Sequence, residues 1–506
     1  MSHSFAGRRS AKKQLVTDDF EKHPEILKCI EELQQTFPKE TNPLTVSDVL
    51  DNDGNQYVNL VQKGGGVLGV ALVGYTYILE QMGIRFLRLA GTSAGAINTA
   101  LMTVTGRKQD AKSTSILKAI CELNFFDLVD GHPAARWVIK RFITHSNFTI
   151  KVKKWFTRII VVAAVLLAGD FIFLGLENKF HSLNILTILF FVLTGFYFLV
   201  IGVVVFYLIR LSRRLKNSGY GINPGDYFYD WIKEQLASNG VHTVSDLNAK
   251  ASTLPELHLR VDNPEGVSSL KGDVTFIASE LVTQNKIQFP EMCFLFRKKD
   301  DIDSLQPAGF IRASMSIPVF FESYMIKDIP CTCDEVKQAW LDTMDEPDPP
   351  SNARFVDGGM LSNFPINIFY NPKVVMPRLP SFGIDLDDTK PEEGEKNATA
   401  WSLPGYIGRM FNTIRYYYDK DFLLKNKVYE KGIGKVPLAG YNWLNFFLSD
   451  KDKIDMFVIG AKAATQFLKD FDWNDYKNNR TMMQMTLNKE MSSEENGYKS
   501  PVNSYK

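Results

Sequence analysis

Apolar residues recur along this chain in two alternating rhythms, and their order predicts an architecture before any motif is considered. Asp18 to Phe37 carries Phe20, Ile26, Leu27, Ile30 and Leu33 at helical spacing, which predicts a surface helix. Tyr57 to Val61 (YVNLV) reads as a strand that runs into a glycine loop, Gly64-Gly65-Gly66-Val67-Leu68-Gly69. Val70 to Met82 is apolar on nearly all sides, as in a buried helix, with Gly83 as its cap. Arg85 to Ala90 (RFLRLA) reads as a second strand, and Ala94 to Met102 as the helix that follows it. Strand, loop, helix and strand make one βαβ unit, so a parallel sheet begins here.

Cys121 to Ser146 reads as helical and aromatic. Farther on, Gly225 to Leu236 predicts an amphipathic helix, Thr243 to Leu257 a returning loop, and Val274 to Ala278 a strand. Ala313 to Phe321 (ASMSIPVFF) reads as a helix ended by proline and followed by an extended run. Residues 334 to 352 are acidic and proline-rich, which suggests a surface excursion before Phe355-Val356 lead into Asp357-Gly358-Gly359. Phe382 to Leu386 predicts another strand, and Lys390 to Asn397 a charged loop. Trp401 to Leu424 and Ile454 to Leu468 read as closing helices, and from Tyr476 the tail is polar. The fold class is therefore α/β, with a mostly parallel central sheet and helices on both faces.

One stretch breaks this pattern. Ile159 to Leu176 has Asp170 as its only charge, and Ile185 to Ile209 has none. In the first span the apolar residues favour insertion by about 4 to 7 kcal/mol against about 3 kcal/mol opposing it from a central aspartate. The second is long enough to cross a bilayer with some tilt. Lys151, Lys153, Lys154 and Arg158 precede the pair and Arg210, Arg213, Arg214 and Lys216 follow it, while the connection between holds only Lys179. The positive-inside rule then puts both flanks, and both termini, on the cytoplasmic side of an integral membrane hairpin, with Trp155 and Phe156 at the headgroup level. A hairpin seated in one leaflet is the other geometry open to it.

Composition narrows the class. A net charge of +1 argues against a nucleic-acid partner, since no basic excess exists to neutralise phosphates. Five scattered cysteines read as reduced thiols, and the Cys331-x-Cys333 pair lacks the further ligands a zinc site needs. No metal is expected, since no acidic calcium loop is present. The N-terminus, MSHSFAGRRSAKKQ, has no apolar core of the signal-peptide kind.

Gly91-Thr92-Ser93-Ala94-Gly95 is the pattern G-x-S-x-G at a strand-to-helix corner, where a serine hydroxyl is pushed out on a tight turn and the next helix aims its positive end at it. Gly64, Gly66 and Gly69 also fit G-x-G-x-x-G, but the second strand ends without the carboxylate a dinucleotide ribose requires. What remains is a loop of unencumbered N–H groups beside the serine, as an oxyanion hole needs, and no cofactor is expected.

Glycine loop, serine elbow and Asp-Gly-Gly turn, in this order, resemble the hallmarks of the patatin-like phospholipase family: G-G-G-x-x-G, G-x-S-x-G and D-G-[GA]. ASMSIPVFF is similar to the family's A-S-x-[SA]-I-P segment, and VDGGMLSNFPI to its D-G-G-x-x-x-N-x-P. The resemblance covers about residues 56 to 146 and 217 to 470 and implies a three-layer sandwich. It implies Ser93 as nucleophile and Asp357 as its only partner, with Gly358 and Gly359 shaping the turn. Such a pair can work, since an ordinary carboxylate is ionised at neutral pH and can accept the serine proton. The oxyanion donors would be the N–H groups of Gly65, Gly66, Val67 and Ala94.

The activity implied is cleavage of carboxylic esters of phospholipids or lysophospholipids through an acyl-enzyme, with membrane lipids as substrate and the bilayer as partner. Many members carry Arg or Lys just before the last glycine of the loop, where this chain has Leu68, which weakens the case for a phospholipid headgroup over a neutral lipid. A neutral-lipid lipase or transacylase, and an idle membrane scaffold, stand beside the leading reading. The expected organisation is an N-terminal arm and surface helix (1–50), the first part of the catalytic domain (51–146), the hairpin (147–216), the second part (217–475) and a polar tail (476–506).

Overall fold

The computed structural model describes residues 15–133, 148–177, 184–217, 219–263, 265–371, 373–388 and 419–497, with isolated positions 136, 406, 410, 413 and 417. The chain divides into two compact units, one of residues 1–129, 225–317 and 323–506, the other of residues 130–224 and 318–322.

The first unit is built on a ten-stranded sheet. Its strands are β1 (Val49–Asp51), β2 (Gln56–Gln62), β3 (Ile84–Thr92), β4 (Leu257–Leu259), β5 (Asp273–Glu280), β6 (Lys286–Phe289), β7 (Tyr324–Ile326), β8 (Ala353–Asp357), β9 (Ser381–Asp387) and β10 (Ile433–Pro437). The order is β10-β9-β2-β3-β5-β8-β7, with β1, β4 and β6 off this path. Five neighbours, β10 to β5, run parallel, whereas β6 and β8 pair antiparallel with β5, and β1 with β2. The sheet is thus mixed, parallel from the β10 edge to β5 and antiparallel from β5 to β7. All seven residues of β2 are buried, as expected for a strand covered on both faces.

The helices are α1 (Pro24–Thr36), α2 (Gly69–Gln81), α3 (Ala94–Val104), α4 (Ser113–Glu122), α5 (Phe148–Glu177), α6 (Asn184–Asn217), α7 (Asp226–Ser238), α8 (Val244–Ser252), α9 (Ala308–Ser314), α10 (Asp334–Met344), α11 (Asp450–Asp470) and α12 (Trp473–Gly497). The single helix expected over Asp18 to Phe37 is broken, because Pro24 occupies the first turn of α1 and His23 caps it by accepting the Glu25 N–H. Where a loop was expected after Thr243 there is α8, opened by a capping box between Thr243 and Asp246. The acidic excursion holds α10, which buries Val336 and Trp340. The helix expected over Cys121 to Ser146 ends at Glu122 and gives way to a short 3-10 turn, Phe125–Leu128; residues 137–147 lie outside the described residues, as do Lys390 to Asn397 and most of Trp401 to Leu424. The polar tail is helical through Gly497, and it buries Tyr476, Arg480 and Gln484.

Helices α2 and α11 meet backbone to backbone. A methyl group on Gly74 would lie 2.0 Å from the Phe457 carbonyl oxygen, and one on Gly460 2.0 Å from that of Ala71. Small residues at both positions are therefore what lets the helices close.

In the second unit α5 and α6 form an antiparallel hairpin. Tyr197 Oη donates to the Ile159 carbonyl at 2.7 Å, and the Phe173 and Phe190 rings lie 4.9 Å apart. Asp170, Thr187 and Thr194 are buried, while most large apolar side chains of both helices are exposed. The apolar runs Lys154–Leu176 and Ile185–Leu211 span about 34 and 40 Å, long enough to cross a membrane. Where the chain enters and leaves this unit, Asn223 Oδ1 accepts the Gly131 N–H at 3.0 Å.

Crowding the α2–α11 contact gives a test of the packing. Gly460→Val is expected to destabilise the first unit by about 1–3 kcal/mol, read as a lowered denaturation midpoint of the purified protein.

Candidate active site

Strand register brings the three sequence motifs together. β2 ends with Gln62 beside Gly91, β3 ends with Thr92 beside Ile277, and β8 ends with Asp357 beside Ala278. Ser93 and Asp357 therefore leave the sheet on either side of β5 at neighbouring levels, and Gly64 follows β2 next to Ser93. A methyl on Gly64 would fall 3.0 Å from Ser93 Cβ and 2.5 Å from Asn363 Oδ1. One on Gly359 would fall 2.5 Å from the same Asn363 oxygen and 2.9 Å from Asp357 Oδ1.

Ser93 sits at φ 54°, ψ −120°, in the strained corner expected of an elbow serine. The corner is this tight because the backbones around it touch. A methyl on Gly91 would come within 2.4 Å of the Gly95 carbonyl, and one on Gly95 within 2.2 Å of the Gln62 carbonyl oxygen. The Ser93 N–H donates to Ser314 Oγ at 3.0 Å, and the Asp357 N–H to the Ser316 carbonyl at 2.8 Å, so the end of α9 and the segment after it position both residues. The Asp357 carboxylate accepts the Gly359 N–H at 2.7 Å.

The glycine loop is held from several sides. Lys63 pairs with Asp385 at 2.6 Å and donates to the Leu386 carbonyl at 3.0 Å. Gly64 exchanges two hydrogen bonds with Asn363, its N–H to the Asn363 carbonyl (2.9 Å) and its carbonyl from Nδ2 (3.2 Å). Gly66 lies at φ +54°, a conformation glycine adopts without strain, with the Trp443 carbonyl packed where a side chain would stand. Among the expected oxyanion donors, Val67 is already engaged, its N–H donating to that Trp443 carbonyl at 3.0 Å. The Gly65 N–H finds no acceptor among the described residues. Ala94 opens α3, where a helix leaves its first N–H groups without internal partners. Gly69 packs against Ala94, and Gly358 presses on the Ile277 carbonyl. Leu68 is fully buried.

An apolar cavity of about 60 Å3 adjoins the loop and α3, lined by Val70, Ile97, Leu101, Ile120, Phe228 and Trp231 among others. It holds about two waters' share of liquid volume, so an acyl chain enters only as the lining side chains shift.

The motifs did not single out Ser314, Asn363, Asp419 or Trp443. The first two lie inside the A-S-M-S-I-P and D-G-G-x-x-x-N-x-P segments, where a signal existed. Asp419 and Trp443 are far from any motif. Asp419 accepts Ser362 Oγ–H and the Phe364 N–H, both at 2.7 Å, and Ser362 in turn accepts from Thr92 Oγ1 at 3.0 Å.

A family model of the patatin-like phospholipases matches residues 60–370, and the chain belongs to that family. Membership places it among the lipid acyl hydrolases. The uncharacterized protein YqhO of Bacillus subtilis (strain 168) is 25% identical over 418 residues, covering 82% of this chain and all of that protein. Among solved structures, VipD of Legionella pneumophila is 14% identical with a TM-score of 0.35, covering 86% of this chain and 72% of its own. The ExoU–SpcU complex of the Pseudomonas aeruginosa type III secretion system gives 13% identity and a TM-score of 0.29, covering 84% of this chain and 52% of that one.

Burial pushes the Asp419 carboxyl up to about 6 from an ordinary value of 3.8. A carboxyl raised on folding stabilises fully below its unfolded value, and that contribution is lost as pH rises through about 6. Wild type is therefore expected to lose up to about 3 kcal/mol relative to Asp419→Asn between acid and neutral pH, measured by denaturant unfolding across that range.

Proposed function

We propose that this protein is a membrane-anchored lipid acyl hydrolase that cleaves carboxylic ester bonds of phospholipids or lysophospholipids through Ser93 and Asp357. The observation that carries this reading is the register on either side of β5, which brings the serine elbow, the Asp-Gly-Gly turn and the glycine loop to one end of the sheet.

In this reaction Ser93 Oγ attacks the ester carbonyl while its proton passes to the Asp357 carboxylate. The tetrahedral oxyanion is met by the N–H groups of Gly65, Gly66 and Ala94. Val67 adds its own once the Trp443 carbonyl withdraws. Loss of one such donor typically lowers kcat by about 10²–10³. The C–O bond then breaks, and the alcohol leaves with the proton from Asp357. Water next gives a proton to Asp357 and attacks the acyl-enzyme, freeing the fatty acid and restoring Ser93. The apolar cavity beside α3 is placed to take the acyl chain.

The α5–α6 hairpin is the anchor in this proposal. In water its exposed apolar surface would be unfavourable, whereas in a bilayer both helices satisfy their own backbone. Their antiparallel packing brings the chain out at the end where it enters, and the flanking cations support a cytoplasmic position for that end. Leu68, buried where many relatives carry a cation, favours a second reading within the same chemistry, a neutral-lipid lipase or transacylase.

Ser93→Ala and Asp357→Asn are each expected to lower ester hydrolysis about 10⁴-fold or more while leaving the protein folded. Mass spectrometry of lipids from cells carrying each variant, read by headgroup, checks this and separates phospholipid from neutral-lipid turnover. Unchanged lipids in all three strains, with no fluorophosphonate labelling of wild type, would favour a scaffold. Replacing residues 148–217 by a short Gly/Ser linker is expected to release the protein from membranes during alkaline extraction. Release of the intact chain under the same conditions would rule out an integral anchor.

A further inference from the structure

A second cavity, of about 550 Å3, lies toward the other end of the parallel strands and plays no part in acyl transfer. Asn59 of β2, Arg88 of β3, Asp273 of β5 and Ser381 of β9 all line it. Arg88 stands five residues before Ser93, about 16 Å away along an extended strand. The strand reaches it through a bulge, since pairing passes from Val58 opposite Phe86 to Leu60 opposite Leu89, leaving β3 one residue longer than β2. A bulge re-aims the side chains around it.

Arg88 is held on one edge only. Its Nε donates to Asn59 Oδ1 at 3.0 Å, and its guanidinium lies 4.8 Å from the centre of the Phe369 ring. Among the described residues its two terminal nitrogens have no acceptor and it forms no ion pair. Arg378 lines the same cavity, tied to Glu265 at 2.9 Å and Ser269 at 2.9 Å, and lies near enough to Arg88 for the two charges to repel. Arg480 is fixed by Gln484 (2.9 Å) and the Asn371 carbonyl (3.1 Å) and faces the Tyr429 ring. With Lys271, four cationic side chains meet two carboxylates, Glu265 and Asp273. Glu265 is already engaged by Arg378, and Asp273 is the carboxylate that acts most strongly on Arg88, so the cations still exceed the anions by two, and the open guanidinium edge matches two oxygens of a phosphate. The volume is that of a small-molecule site.

We propose that this cavity binds a phosphate-bearing anion, gripped by the open edge of Arg88 with Arg378 and Arg480 around it. The phosphate comes either from a soluble phosphate ester or from a lipid headgroup.

The test uses the full-length protein in phosphatidylcholine nanodiscs, titrated with glycerol 3-phosphate, and in parallel nanodiscs containing phosphatidic acid without soluble phosphate. Melting midpoint is the readout in both arms. A rise with glycerol 3-phosphate identifies a soluble ligand, and a rise only with phosphatidic acid identifies a headgroup. Arg88→Met is expected to weaken the effective ligand about tenfold or more. Arg88→Lys keeps the charge, so the fold tolerates it, but loses the fork and is expected to weaken binding measurably. Ser93→Ala should bind as wild type does, so loss of the hydrolase reading would leave this result intact. If neither phosphate source shifts wild type, or if both arginine variants respond as wild type does, the proposal is overturned.

Discussion

The candidate site rests on contact between bare backbones. β2, β3 and β8 converge on one level only because Gly64, Gly91, Gly95, Gly358 and Gly359 put no side chain between them. Polypeptide segments this close leave no room for even a methyl group, and interiors packed to crystal density have little slack to make it. The two chemical side chains are then positioned by sheet register rather than by a loop's free choice. Gln62 strengthens the same arrangement from β2, accepting from Asn98 Nδ2 at 2.6 Å and donating to Thr99 Oγ1 at 3.0 Å, which ties the strand to α3, the helix that begins at Ala94.

Those local constraints were legible in the sequence because each motif is short and each glycine has a backbone reason. The βαβ start, the glycine loop and the two apolar spans are legible for the same cause: one segment carries the whole signal. Where structure depends on distant partners, the reading failed. From Tyr476 on, α12 reads as a tail because the described side chains it buries there are Tyr476, Arg480 and Gln484, two of them polar and joined to each other at 2.9 Å. β10 was not foreseen, since Ile433 to Pro437 alternates too briefly to stand out until β9 offers it a parallel edge. The engagement of Val67 by Trp443 joins residues far apart in the chain, and nothing in either segment alone announces it.

The hairpin shows how an α/β chain can accommodate a long insertion. The chain leaves the first unit at Val129 and resumes it at Gly225. Closing a loop becomes only slowly more unfavourable with its length, so what matters is that the ends lie together. The Gly131–Asn223 hydrogen bond, with Asn223 Nδ2 also donating to the Phe320 carbonyl at 2.8 Å, joins the two ends within the second unit. Between the helices the polar residues are turned to the seam: Asp170, Thr187 and Thr194 are buried where the outward surface is apolar. In the proposed membrane setting this burial keeps the polar groups away from lipid, although Asp170 Oδ1 and Thr194 Oγ1 have no hydrogen-bond partner among the described residues.

A parallel sheet also gives its helices a common polarity, and this chain treats the two ends of α3 differently. The first turn, beginning at Ala94, points its N–H groups toward the Ser93 corner, where negative charge would develop during acyl transfer. At the last turn, the Met102 carbonyl accepts the Lys112 ammonium at 2.6 Å. Lys108 caps the Ala251 carbonyl in the last turn of α8 at 2.5 Å and the Leu87 carbonyl at the β3 bulge at 2.7 Å. Burial pushes Lys112 down to about 8, opposed by the Glu80 and Asp110 carboxylates, and Lys108 to about 7, opposed by Asp273, while carbonyl oxygens accept from both side chains. A buried cation at the negative end of the helix is a substantial expense in desolvation, and its effect is to leave the positive end as the unanswered one. In the proposed acyl transfer, the field of α3 is then free to act on the oxyanion, which exists only while the ester carbonyl carries charge.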